Sequence, residues 1–356
     1  MNTQILTTPD GDTYPILTGS GLLQSIGSEL SAIAKPCRVM IVSDSNVAPL
    51  YMDTVKKSLA DAGFFVRTHV VPAGEDSKSV SRLGELLEAF AEAHLTRTDL
   101  ALALGGGVIG DLTGFAAGCY LRGIRFVQMP TTLLAAVDAS VGGKTAVNLA
   151  HGKNLAGLFH QPIGVYCDVD TLRTLPAHEL ADGAAEAIKH GILDDPALFD
   201  IYENGNPSEK YEEIIVRSVI YKSKIVMEDP NEKGVRKMLN LGHTPAHAIE
   251  RLSDFAISHG HAVAIGTAVI ARAAVRRGIL DPEAGTRILN TLIRNALPVY
   301  CPYNAADMAT VAALDKKAAA KDITVILPEK IGKCRMEKMP VSELEALFAD
   351  GLEGQV

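Results

Sequence analysis

The chain has 356 residues, of which 47% are hydrophobic and 21% charged, a globular composition long enough for about two domains at roughly 150 residues each. Its formal net charge of −8 excludes the broad basic surface that nucleic acid or an anionic membrane requires. An anionic ligand would have to be met by a local cluster of Lys and Arg.

In chain order, residues 2–18 alternate around Asp10-Gly11, a hairpin signal. Residues 38–43 form a buried-strand candidate ending in Asp44-Ser45-Asn46, and 47–62 have helical spacing closed by Gly63. Asp44 is placed either to accept hydrogen bonds from ribose hydroxyls or simply to cap the helix that follows. A strand at 65–71 leads through Glu75 and Lys78 into a helix over 80–94, and a further strand spans 99–104. Strands alternating with helices predict a parallel sheet covered on both faces, with ligands outside the carboxyl ends of its strands. Asp44, Glu75, Lys78 and the Gly105 turn all fall at those ends.

Much of the information lies between Gly105 and Asn154. Three glycines follow an apolar strand and precede helical spacing from Val108, which leaves backbone N–H groups at a helix N-terminus facing a possible phosphate. GGGVIGD is not the G-x-G-x-x-G register, and a tight strand-to-helix turn without a ligand would also use glycine. Pro130-Thr131-Thr132, Asp138 and a second glycine turn carrying Lys144 and Thr145 narrow the choice towards a ligand.

From about Leu175 the texture changes to helical spacing over 177–193, 211–227, 246–252, 262–277 and 283–295, with one short strand at 323–327. The boundary is placed at 174–177, giving domains 1–175 and 176–356. Two histidine pairs stand out. His243 and His247 flank Thr244-Pro245, read as N-cap and first helical position, so that the pair is not expected to share one helix face. His259-Gly260-His261 opens another helix, and Glu186, Lys189 and His190 share a face at i, i+3 and i+4. One Glu and two His suit zinc with an open position, although a buried histidine is as readily a hydrogen-bonded core residue. Arg122, Lys144, Lys153, Asn154, Lys189, Lys222, Arg236 and Asn240 lie beside glycines or histidines and suggest a small, highly charged anion. The five cysteines, Cys37, Cys119, Cys167, Cys301 and Cys334, form no C-x-x-C pair, and the first residues lack a signal-peptide pattern, so a cytoplasmic protein with reduced thiols is expected.

GGGVIGD, PTTLL, DASVGGKTAVN, GKN at 152–154, EAIKHG at 186–191, NLGHTPAHAIE at 240–250 and SHGHAVAIG at 258–266 together resemble the 3-dehydroquinate synthases, within the sugar-phosphate cyclases. The resemblance implies a Rossmann-like α/β N-terminal domain with a parallel sheet and a mostly α-helical C-terminal domain. It implies NAD⁺ on Asp44, Asn46, Glu75, Lys78, Gly106, Gly107, Val108, Asp111, Thr131 and Thr132, with Lys144 and Lys153 close by. One divalent metal, Zn²⁺ or Co²⁺, is implied on Glu186, His243 and His259. The sugar-phosphate substrate would meet Arg122, Asp138, Lys144, Lys153, Asn154, Lys189, Lys222, Arg236, Asn240 and His247, with Lys316 or Lys317 closing the site. A homodimer is typical of the family. His261 stands where the family often has Glu, which would make it either an outer neighbour of the metal or a rival ligand to His259. The alternatives are a cyclase making an aminocyclitol precursor, a metal-dependent polyol dehydrogenase and a non-catalytic NAD-binding paralogue.

Overall fold

The computed structural model describes residues 2–7, 11, 13–230, 232, 234–315 and 321–355. Contacts divide the chain into two compact units, Met1–Leu175 and Pro176–Val356.

The first unit contains strands β1 (Asn2–Thr7), β2 (Thr13–Gly19), β3 (Arg38–Asp44), β4 (Phe65–Val71), β5 (Leu100–Gly105), β6 (Arg125–Pro130), β7 (Lys144–Leu149), β8 (Gly152–Phe159) and β9 (Val165–Asp168). Its helices are α1 (Leu22–Ser31), α2 (Ala48–Asp61), α3 (Val80–Glu92) and α4 (Gly107–Cys119). Among the described residues, seven strands join one sheet in the order β1-β2-β9-β6-β5-β3-β4. Only β1 and β2 pair antiparallel; the other neighbours run parallel. Alternation along the central strands explains the layers. Val39, Ile41, Leu100, Leu102 and Leu104 pack against α1 and α2, whereas Met40, Val42, Ala101 and Ala103 pack against α3 and α4. Each fully buried Leu or Val contributes about 1.5–3 kcal/mol, so a one-residue slip of register would exchange two differently shaped cores.

The strand order reverses between β3 and β5, since β4 lies on one side of β3 and β5 on the other. Open α/β sheets bind ligands at such a switch point, outside the carboxyl ends of the strands. The Ser43 hydroxyl donates to the Leu104 carbonyl at 2.7 Å and ties the two strands together beside it. The β7–β8 hairpin, which the sequence reading missed, stands apart from the main sheet. The turn joining its strands carries no Asn-Gly or Asp-Gly signal.

The second unit is built from α5 (Ala177–Leu193), α6 (Pro196–Glu203), α7 (Tyr211–Glu228), α8 (His243–Leu252), α9 (His259–Arg276), α10 (Pro282–Arg294), α11 (Ala305–Asp315) and α12 (Leu344–Leu352). The strand expected at 323–327 belongs to an antiparallel hairpin of β10 (Asp322–Lys330) and β11 (Lys333–Pro340). The α/β-plus-helical class expected from the sequence is therefore the one observed.

Candidate functional site

The second unit buries an unusual set of ionisable side chains, Asp182, Glu186, Lys189, His190, Lys222, Arg236 and Glu250. Such groups leave water only when paired or bound. Close helix packing brings several of them together. A Cβ at Gly260, in the first turn of α9, would meet the Asp182 backbone of α5 at 2.3 Å, so α9 seats against α5 only with glycine there. A Cβ on Gly266 of α9 would meet the Gly242 carbonyl at 2.1 Å, which fixes the start of α8 in the same way.

Gly242 also corrects the sequence reading of the first histidine pair. It adopts a left-handed conformation (φ 75°) and serves as the N-cap, so α8 begins at His243, before Thr244 and Pro245. Pro245 is tolerated because the N–H groups of a helix's first turn have no intrahelical partner. His243 and His247 therefore do lie four apart on one helix, with ring centroids 5.6 Å apart.

Glu186, His243 and His259 each offer a ligand atom, and these atoms lie within 4.8 Å of one another. Nε2 of His243 is 3.5 Å and Nε2 of His259 is 3.3 Å from Oε1 of Glu186. Donors bound at about 2.0–2.2 Å to one tetrahedral ion would be roughly 3.3–3.6 Å apart, so the spacing fits a single divalent ion. The buried Glu186 carboxylate finds no hydrogen bond of ordinary geometry among the described residues, its charge being met by Lys189 and the imidazoles. Both rings are turned so that Nε2 faces the carboxylate. Nδ1 of His243 lies 3.1 Å from the Leu241 carbonyl and Nδ1 of His259 lies 3.4 Å from Glu250. Three donors leave a fourth position open, as metal sites that handle substrates do.

Burial alone would raise the Glu186 carboxyl, but Lys189, then His243 and His259, hold it well below the usual carboxylate range. Burial, reinforced by Lys189, pulls His243 down and keeps it neutral. Burial also works to lower His259, yet the neighbouring Glu186 and Glu250 carboxylates outweigh that and push it up to about 10, so that a metal binding there would displace a proton from the ring.

In the first unit the glycine turn sits at the end of β5. Gly105 has a packing reason, since its Cβ would meet the Ile109 side chain at 2.7 Å. Gly107 has none, because a Cβ there would meet only Ala139, at an ordinary 3.5 Å. Gly106 is the N-cap of α4 without a capping side chain, so the first turn presents its N–H groups bare. Asp44, at the end of β3, accepts from the backbone N–H of Asn46 (2.8 Å) and Val47 (3.0 Å), both on Oδ1. Asp44 thus closes the turn that leads into α2 but does not cap the helix, whose N-cap is Val47. Lys78 is buried and ion-pairs with Asp111 of α4 at 2.5 Å. Thr131 is buried, its Oγ1 without a hydrogen-bond partner among the described residues, while Thr132 caps the following turn through Ala135. These features fit a dinucleotide laid across the switch point with its pyrophosphate at α4.

Comparison with known proteins agrees with this geometry. Residues 68–182 match the profile of the 3-dehydroquinate synthase N-terminal domain and residues 183–318 that of the C-terminal domain. The chain is 41% identical over 339 residues to a 3-dehydroquinate synthase of Streptococcus sanguinis, covering 93% of this chain and 96% of that one. The chain belongs to the 3-dehydroquinate synthase family. Among solved structures, a 2-epi-5-epi-valiolone synthase of Streptomyces hygroscopicus with NAD⁺ and Zn²⁺ bound is similar with a TM-score of 0.85 and 27% identity, over 96% of this chain and 97% of that one. A 2-deoxy-scyllo-inosose synthase complexed with carbaglucose-6-phosphate, NAD⁺ and Co²⁺ has a TM-score of 0.86 at 24% identity, over 99% and 100%; that likeness speaks for the fold.

The other residues that the family resemblance singled out are distributed as follows. Lys144 opens β7, whereas Lys153 and Asn154 lie beside the turn at the far end of the β7–β8 hairpin. Asp138 lies on the short π-helical turn Ala135–Ala139. Arg122 is exposed in a left-handed stretch (φ 67°) just after α4, near the amino ends of β5 and β6 and away from the glycine turn, and so is not gathered with Asp44, Lys78 and Gly107. In the second unit Lys189 contacts Glu186, Lys222 is buried on α7, and buried Arg236 donates to the Pro230 carbonyl at 2.7 Å. Asn240 donates to Glu232 at 3.1 Å. His190 packs against Tyr221 and His261 is held by Asp182 at 2.6 Å, so His259, and not His261, joins Glu186 and His243. Lys316 and Lys317 lie outside the described residues.

Sequence reasoning passed over Asn148, Asp182, Glu232 and Glu250. Asn148 donates to Glu75 at 2.7 Å and accepts from the Asn154 N–H at 2.9 Å, linking two of the expected site residues. Glu250 lies seven residues after His243 on the same helix face, but its partner is His259 of α9, a contact that exists only in the packed structure.

Proposed function

We infer that this chain converts 3-deoxy-D-arabino-heptulosonate 7-phosphate into 3-dehydroquinate and inorganic phosphate, with NAD⁺ and one Zn²⁺ or Co²⁺ ion. The observation that carries the reading is the meeting of Glu186, His243 and His259 at tetrahedral spacing in a chain of this family. When bound, the dinucleotide supplies transient oxidation and re-reduction at C5 and the ion supplies Lewis acidity at the hydroxyl there.

The chain's own residues hold and orient. Gly106, Gly107, Val108, Asp44, Asn46, Glu75, Lys78, Asp111, Thr131 and Thr132 are proposed to bind the dinucleotide. Its substrate carries a carboxylate at one end and a phosphate at the other. That charge pattern suits Lys144, Lys153, Lys189, Lys222 and Arg236, with Asp138, Asn154 and Asn240 on hydroxyls; Arg122, away from these groups, is left out of this set. His247, one turn from His243, is proposed to move a proton near the phosphate, imidazole being the side chain that most often serves in such transfers. Ring opening and intramolecular aldol closure complete the carbocycle.

The aminocyclitol and dehydrogenase alternatives are not favoured: the curated relatives that match over nearly the full length are named 3-dehydroquinate synthases. No helix of the described residues is long and apolar enough to cross a membrane. A cytoplasmic homodimer is proposed, the location on the scattered free thiols and the dimer on family resemblance. The test offers the heptulosonate phosphate with catalytic NAD⁺ and follows phosphate release alongside NADH absorbance. Stoichiometric phosphate without NADH build-up is expected; net NADH, or no phosphate, would overturn the reading.

A further inference from the structure

The two histidines of the donor cluster are held from behind by different groups. Nδ1 of His243 meets a neutral acceptor, the Leu241 carbonyl, two residues away on its own chain segment. Nδ1 of His259 faces a carboxylate, Oε1 of Glu250, at 3.4 Å. Glu250 is only 5% exposed, and a carboxylate withdrawn from water requires compensation from what surrounds it.

We propose that Glu250 is a positioning residue for the metal: through Nδ1–H of His259 it fixes the tautomer and aim of that ring. A carboxylate behind a ligating imidazole holds the proton on the far nitrogen, leaves the lone pair of the near one for the ion and raises its basicity. Nε2 of His259 is accordingly the nitrogen directed at Glu186, 3.3 Å away.

The fold goes out of its way to make this contact. Glu250 stands two helical turns after His243 on α8, so one helix supplies both a ligand and the carboxylate behind another. The short connection from α8 to α9 passes through Asp254 (φ 51°) and Phe255 (φ 62°). Both are left-handed conformations that residues with a Cβ adopt only against steric resistance. α9 is then fastened at its first turn, where the Asp182 carboxylate of α5 accepts from the Ser258 hydroxyl (2.6 Å) and the His261 N–H (2.9 Å). With the helix so fixed, Glu250 governs what remains adjustable, the rotation of the His259 ring.

The inference rests on the metal reading above. Its test uses the full-length protein stripped of metal and retitrated with Zn²⁺ against a chromophoric chelator, and separately loaded with Co²⁺ for its visible d–d spectrum. Glu250→Gln keeps the size and removes the charge; it is expected to weaken Zn²⁺ binding about 10–100-fold and to alter the Co²⁺ bands, while the metal-free protein melts as the parent does. Wild-type Zn²⁺ affinity and an unchanged Co²⁺ spectrum in Glu250→Gln would overturn the proposal. Should that variant fail to fold, Glu250→Asp, with charge kept and reach shortened, carries the same test: weakened Zn²⁺ and altered bands support the role, and parental values overturn it. Failure of the parent protein to bind Zn²⁺ would instead sink the metal reading itself.

Discussion

The two units prepare for ligands by opposite means. In the sheet unit the core is apolar on both faces, and the features aimed at a ligand are largely backbone: bare N–H groups at α4 and a glycine whose missing side chain leaves room. In the helical unit the features are side chains, and they are charged and buried. Backbone presentation can be built on a stable scaffold at little cost, whereas a buried carboxylate or ammonium is tolerable only while its partners are present. Substitutions in the helical unit should therefore damage function and folding together, and some in the sheet unit should separate them.

The largest effect is expected at the donor cluster. Glu186→Ala leaves Lys189 buried without its partner, so stability should fall by about 3–5 kcal/mol, bound metal should disappear from elemental analysis, and turnover should drop below detection. An active, metal-loaded Glu186→Ala protein would erase the contrast between the units. Next comes His247→Ala, expected to lower kcat about 10²–10⁴-fold with metal content retained; full turnover in that variant ends the proton-transfer role.

The sheet unit offers a sharper pair. Gly107→Ala should weaken NAD⁺ binding about tenfold or more, while Tm holds or rises slightly, since alanine is favoured over glycine by up to about 1 kcal/mol inside a helix. Gly105→Ala should destabilise by about 1–3 kcal/mol, because its Cβ overlaps Ile109. Calorimetry with and without NAD⁺ distinguishes the two, and equal Tm values for both variants would contradict the steric assignment.

The smallest effect concerns a polar staple far from any ligand. Burial alone would raise the Asp99 carboxyl, but the Thr96 hydroxyl and the N–H groups of Thr96 and Arg38 outweigh it and hold it below the usual value. A depressed carboxyl stabilises the fold above its unfolded-state pKa, and that contribution is lost as pH falls through the folded value. Asp99→Asn should cost about 1–2 kcal/mol at pH 7 and progressively less on acidification. A deficit that stays constant with pH would rule out this account.

How much of this was legible in the sequence depended on whether the signal was local. Apolar runs such as LALALG and the 3.6-residue spacing of α5 are written in adjacent residues, and they marked the sheet and the helical half. The β7–β8 hairpin was missed because its register rests on pairing, with no turn signature to mark it. The start of α8 was misplaced because Thr-Pro is a strong local start signal, while the left-handed Gly242 that begins the helix earlier is fixed by its contact with Gly266, distant in sequence. The same holds for Glu250 and Asp182, whose importance exists only once α5, α8 and α9 are packed.

The central claim is that one divalent ion is held jointly by three side chains of the helical unit. Anomalous diffraction from crystals of the zinc-loaded protein, collected on both sides of the zinc edge, tests it most directly. The account predicts a single peak at about 2.0–2.2 Å from a Glu186 oxygen and from Nε2 of both His243 and His259. A peak bound elsewhere, or one lacking any of these three ligands, would contradict it.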